Sequence, residues 1–173
     1  MNHYKSWSGL NKNLLNFLCA PLKGRITYFL TRYHDVHNAY GRAAVCLDKK
    51  ELVDFSWTEM YEQECALSRL HNELYVRETN RVSYNELREK LKSEWDENCT
   101  YYEMDFLSAA TTFLQMSISD ALNSDNYIVR IFAVLDKRVG KRTLQSIKSE
   151  GKYKTMPEWV KQFYELRFSV SNC

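Results

Sequence analysis

The chain has 173 residues and a net charge of +2, with 45% apolar, 27% charged and 14% aromatic residues. Those values suit one ordinary globular domain spanning 1–173 and exclude a disordered or collagen-like chain. No run approaches the roughly 18 apolar residues of a membrane span, and MNHYKSWSGLNKNLLNFLC lacks the apolar stretch of a secretory leader, so a cytoplasmic setting without membrane contact is expected.

The charge is segregated. Residues 1–50 carry eight Lys/Arg against two Asp/Glu, residues 51–125 six against sixteen, and residues 126–173 ten against four. Such a chain can neutralise itself on folding or present faces of opposite sign to a partner. The cysteines, at positions 19, 46, 65, 99 and 173, form no C-x-x-C pair. They read as reduced thiols, mostly buried.

Residues 9–19 predict a helix, with Ser8 as N-cap and Leu10, Leu14, Phe17 and Leu18 in one stripe. Cys19–Gly24 breaks it. RITYFLTRY, 25–33, predicts a strand with Ile26, Tyr28 and Leu30 on one face. A polar loop, 34–41, leads to a second strand, 42–47. Asp48-Lys49-Lys50 reads as a tight turn into a third strand, 51–57, completing an antiparallel meander.

Helical signals follow. Ser56-Trp57-Thr58-Glu59 and Ser83-Tyr84-Asn85-Glu86 fit capping boxes. The first opens a helix with Met60, Leu67, Leu70 and Leu74 on its apolar side. The second opens one with Leu87, Leu91 and Trp95. A third box, Thr100–Glu103, opens 101–122, apolar around most of its circumference and expected to be the central buried helix. Residues 126–138 predict another apolar helix, with Gly140 placed as its C-terminal stop. A short helix, 142–149, ends before Gly151. A fourth box, Thr155–Glu158, with Pro157 in the first turn, opens a helix burying Trp159, Val160, Phe163 and Leu166. The expected fold is α+β: an N-terminal helix, a three-stranded antiparallel meander, then a mostly helical C-terminal two-thirds.

Two segments carry candidate chemistry. In TRYHDVHNAYGRA, 31–43, His34 and His37 have side chains suited to acid/base work near neutral pH, and Arg32 and Arg42 suit phosphate oxygens. That set fits a metal-independent ribonuclease or phosphodiesterase, and equally a solvated turn. Zinc needs three or four ligands, and no complete set accompanies His34-x-x-His37, so no metal or cofactor is expected. The second segment is Lys137-Arg138-Val139-Gly140-Lys141-Arg142. Its four cations suit nucleic-acid phosphate or an acidic protein, or simply complement a helix C-terminus. His71 reads as a helix-edge residue, and Glu59, Glu62, Glu64 and Glu73 as a solvated helix face. The Gly-rich nucleotide templates and G-x-S-x-G are absent.

Residues 10–55, LNKNLLNFLCAPLKGRITYFLTRYHDVHNAYGRAAVCLDKKELVDF, and 135–144, LDKRVGKRTL, resemble a family of small bacterial proteins of unknown function. The resemblance implies a bacterial or phage origin and an intracellular setting, and lends no activity. Two function classes stay open. One is a non-enzymatic domain that binds another protein, in an immunity, anti-toxin or phage-defence role, suggested by the acidic middle and the aromatic excess. The other is an RNA- or DNA-binding protein, or a ribonuclease-like enzyme, using the His34/His37 loop.

Overall fold

The computed structural model describes residues 6–31, 41–77 and 84–173. Helix α1 (Trp7–Phe17) starts two residues before its expected first residue: Ser6, not Ser8, caps it by accepting the Gly9 amide. The earlier start lets Trp7 pack on Phe106, ring centroids 5.9 Å apart. A short 3-10 turn at Ala20–Leu22 leads into the sheet.

Strands β1 (Ile26–Thr31), β2 (Arg42–Leu47) and β3 (Lys50–Ser56) form an antiparallel meander in that order. Ile26 and Tyr28 face the core while Thr27 and Phe29 face solvent, the alternation expected of a half-buried strand. The β2–β3 turn is tighter than expected. Leu47 pairs with Lys50, leaving only Asp48 (φ 50°) and Lys49 (φ 69°), both left-handed. That is the backbone a two-residue hairpin requires. Arg25 holds Asp48 through Nε at 3.0 Å and Nη2 at 2.6 Å. Further along, Leu52 bulges from the β2–β3 register, and its carbonyl accepts Gln162 Nε2 at 3.1 Å. The Cys99 thiol donates to the Asp54 carbonyl. The outer edge of β3 is therefore covered, which removes a template for strand pairing.

Helices α2 (Trp57–Arg77) and α3 (Tyr84–Glu97) pack on one another. Leu67 is buried, but Leu70 and Tyr61 are exposed, so the expected apolar side of α2 is only partly covered. The side chains of Met60, His71, Leu74 and Leu87, those of Trp57–Glu59, and the cap residue Ser83 lie outside the described residues. Helix α3 ends with Cys99 left-handed (φ 56°) and the Thr100 amide reaching back to the Trp95 carbonyl at 2.8 Å, a Schellman closure without glycine.

The expected long helix at 101–122 is two helices, α4 (Glu103–Gln115) and α5 (Ile118–Leu122). Ser117 divides them: its hydroxyl accepts the Asp120 amide and starts a new helix. The third box is also displaced. Asp105, not Glu103, reaches back to a backbone amide, that of Tyr102. The most buried helix is α6 (Tyr127–Leu135), where Ile128, Val129 and every residue from Ile131 to Leu135 are buried. Asn126 caps it through the amides of Ile128 and Val129. Its end is tied to the end of α1 by two backbone bonds, Cys19 to Leu135 at 3.0 Å and Lys137 to Phe17 at 2.7 Å.

Gly140 is no helix stop. At φ −77° it is the N-cap of α7 (Lys141–Glu150), and α6 has already ended at Leu135. Gly151, at φ 70°, does terminate α7, as the left-handed position demands. After a 3-10 turn at Lys152–Thr155 comes α8 (Glu158–Val170). Pro157 is its N-cap, and the Thr155 hydroxyl donates to the Lys152 carbonyl instead of capping. Trp159, Val160, Phe163, Tyr164 and Phe168 are buried, Leu166 only partly.

The core gathers around Phe106 of α4. The rings of Trp7, Tyr28, Phe55 and Phe132 all lie within 6.3 Å of it, so α1, β1, β3 and α6 meet on one side chain. None of the five cysteines is in a disulfide, and only Cys19 is fully buried; the expectation of mostly buried thiols does not hold. Among the described residues no helix is long and apolar enough to cross a membrane.

Candidate functional site

Arg32, His34 and His37 lie outside the described residues. Their strand-end partner Arg42 is described, and its guanidinium is committed elsewhere. Nε donates to Asp54 at 2.8 Å, Nη2 donates to Glu51, and the cation lies 5.9 Å from the Phe29 ring centroid. Asp54 first and Glu51 second push its pKa up. With two carboxylates from β3 against it, Arg42 is a cross-strand tie. Beside it, Gly41 lies close against the Glu103 side chain. A Cβ there would sit 2.5 Å from Glu103 Cδ, and one Glu103 oxygen is buried with no hydrogen-bond partner.

The basic segment separates into two kinds of residue. Arg138 is structural. It forks onto Asp136, Nε at 3.0 Å and Nη2 at 2.7 Å, while its own amide donates to the same carboxylate at 2.7 Å. The Asp136 side chain is fully buried, and the Arg138 cation covers the Phe17 ring at 4.4 Å. Lys137, Lys141 and Arg142 are exposed and carry no ion pair among the described residues. Close by is a buried cation that sequence reading missed. Arg167 donates to the carbonyls of Val134 (3.0 Å) and Val139 (2.9 Å) and to the Ser171 hydroxyl. It satisfies the orphan carbonyls where α6 ends.

Another concavity lies where α3 meets the starts of α4 and α6. It is a cleft of about 380 Å³ walled by Trp95 and Tyr101, with Glu89, Asp96, Asp105 and Asp125 around it and Lys92 as its one cation among the described residues. A second hollow continues it past Glu97 to Tyr127 and Pro157. Asp96 organises the floor: it accepts from Lys92 Nζ at 2.7 Å and Tyr101 Oη at 2.5 Å, while its backbone carbonyl accepts Trp159 Nε1 at 2.7 Å. The Tyr101 and Tyr127 rings meet the Trp159 ring edge-on. Burial, then the bond to Asp96, pushes the Tyr101 hydroxyl far above the ordinary tyrosine value, so it donates at every physiological pH. The Asp96 hydrogen bond raises the Lys92 pKa.

The acidity of 51–125 was legible in the sequence, but not which carboxylates would converge. Glu89 and Asp96 come from one helix, Asp105 from the next, and Asp125 from the loop before a third. Only folding brings them to one rim. Among the described residues no group of three or more His, Cys, Asp or Glu could hold a metal ion.

A protein-family model described as the SF0329 protein family matches residues 6–168. The match is wider than the two stretches, 10–55 and 135–144, that carried the resemblance. No curated protein and no solved structure matches the chain.

Proposed function

The chain belongs to the SF0329 protein family, and we propose that it is a cytoplasmic protein-binding domain that docks a basic partner in the acidic aromatic cleft. The observation that carries this is the cleft's composition among the described residues, four carboxylates to one ammonium with aromatic walls. An arginine or lysine side chain entering it finds Glu89 and Asp125 at the exposed rim and the half-buried Tyr101 in the wall for its stem. Asp96 is already engaged by Lys92 and Tyr101, so it shapes the cleft and leaves the rim carboxylates to the partner. An acidic docking cleft is what an immunity or anti-toxin protein needs against a basic, nucleic-acid-acting partner, because opposite potentials speed encounter and fix register.

The competing ribonuclease or phosphodiesterase reading rests on His34 and His37, outside the described residues. It loses Arg42 and Arg138 to internal carboxylates and keeps Lys137, Lys141 and Arg142 as phosphate contacts. One experiment separates the two. The tagged chain and its Glu89→Lys/Asp125→Lys variant are used for affinity capture from the native host, with quantitative mass spectrometry. A stoichiometric basic protein retained by the wild type and lost by the variant is expected. A partner held equally by both, or nucleic acid recovered in place of protein, overturns the proposal.

A further inference from the structure

A second cleft, of about 300 Å³, opens between α5, α7 and α8, with the 152–155 turn at its edge. Two groups in it are unusual. Arg130 is half-buried, and its Nε is held by the Ser124 carbonyl. One terminal nitrogen makes only a 3.9 Å contact to Met156 Sδ, and no carboxylate pairs the cation among the described residues. Tyr164 is only 2% exposed, and no hydrogen bond reaches its hydroxyl among the described residues. Its ring is stacked on Tyr153 at 5.6 Å, which fixes it against the cleft. A half-buried cation with no carboxylate partner among the described residues and a hydroxyl donor lining the same cleft are the two groups that a carboxylate ligand needs.

We propose that this cleft binds a small monoanionic carboxylate, gripped by Arg130 and hydrogen-bonded by the Tyr164 hydroxyl. The guanidinium fork matches two carboxylate oxygens. Burial pushes the Tyr164 pKa up to about 12 against the opposing pull of Arg130, so the hydroxyl keeps its proton and donates. The charge of the ligand follows from the remaining lining. Lys152 is paired with Glu150 at 3.2 Å, and Ser146 donates to the same carboxylate at 2.8 Å. One cation is therefore left for the ligand, and a phosphate dianion would face Glu150. The carbon skeleton lies against Leu122, Ile147 and Met156, and the volume, at the low end for ligand sites, admits a single-ring or short-chain acid.

Titration calorimetry tests this with three probes of one shape: benzoate, its neutral counterpart benzamide, and phenyl phosphate. Saturable benzoate binding, at least about tenfold tighter than benzamide and tighter than phenyl phosphate, is expected. Arg130→Gln should weaken benzoate about tenfold or more, and the isosteric Tyr164→Phe several-fold, with circular dichroism confirming both folds. If Arg130→Gln fails to fold, Tyr164→Phe and the three-probe comparison decide. No benzoate binding at about 10 mM, benzoate no tighter than benzamide, tighter phenyl phosphate, or unchanged binding in a folded variant overturns the proposal.

Discussion

Replacing Arg138 by alanine separates a structural cation from its exposed neighbours. The substitution removes two of the three hydrogen bonds on Asp136, whose side chain is fully buried, and leaves only the amide of residue 138. Breaking a buried pair from one side costs about 3–5 kcal/mol. The Arg138 side chain is 35% exposed, so water reaches part of the vacated space and the lower end applies. Loss of the cation over Phe17 adds roughly 0.5–1 kcal/mol. About 3.5–4 kcal/mol in all is expected, or about 7–16 °C in Tm for a domain of this size. Calorimetric unfolding should show that loss for Arg138→Ala, while Lys141→Ala and Arg142→Ala stay within about 0.5 kcal/mol of wild type. The cycle with Asp136→Asn should give a coupling of about 1–3 kcal/mol. An Arg138→Ala variant as stable as the other two would refute the pairing argument and return Arg138 to the set of phosphate-contact candidates.

Three further outcomes are open to the same stability measurements. Gly41→Ala forces a Cβ onto Glu103, so it should cost about 1–3 kcal/mol, and Glu103→Ala in the same chain should recover most of the loss; an additive double mutant would show the approach to be unimportant. Lys49→Gly relieves a left-handed lysine at φ 69° and should stabilise the hairpin by about 1 kcal/mol, whereas no gain would mean that the turn is unstrained. The folded state holds the Tyr164 proton more tightly than the unfolded chain. Its share of stability is therefore complete below the ordinary tyrosine value of 10.0 and is lost as pH rises towards about 12. That share is about 2–3 kcal/mol, and Tyr164→Phe should flatten the alkaline stability profile by this amount. Superimposable profiles would disprove it.

The elements themselves were readable because their signals are local. Alternation in 26–31, the strand at 42–47 and the left-handed stop at Gly151 depend on residues a few positions apart. Boundaries went astray where a nearby polar group competed. Ser117 split the long apolar run, and Gly140, expected to end one helix, instead caps the next. The candidate sites were less legible still. Arg42 and Arg138 look alike in sequence to Lys141 and Arg142, but β3 places Asp54 and Glu51 against the first, and a tight turn places Asp136 against the second.

Sequence alone determined the order of elements, the meander, and the concentration of acid in the middle of the chain. These follow from side-chain period and composition, which act over one or two turns. Tertiary structure decided which charges were paired inside the molecule and which stayed exposed. It put Glu89, Asp96, Asp105 and Asp125 around one cleft, and brought Arg130 and Tyr164 to another, with no carboxylate on Arg130 among the described residues. Those outcomes depend on contacts between residues tens of positions apart, set by how the helices pack around Phe106.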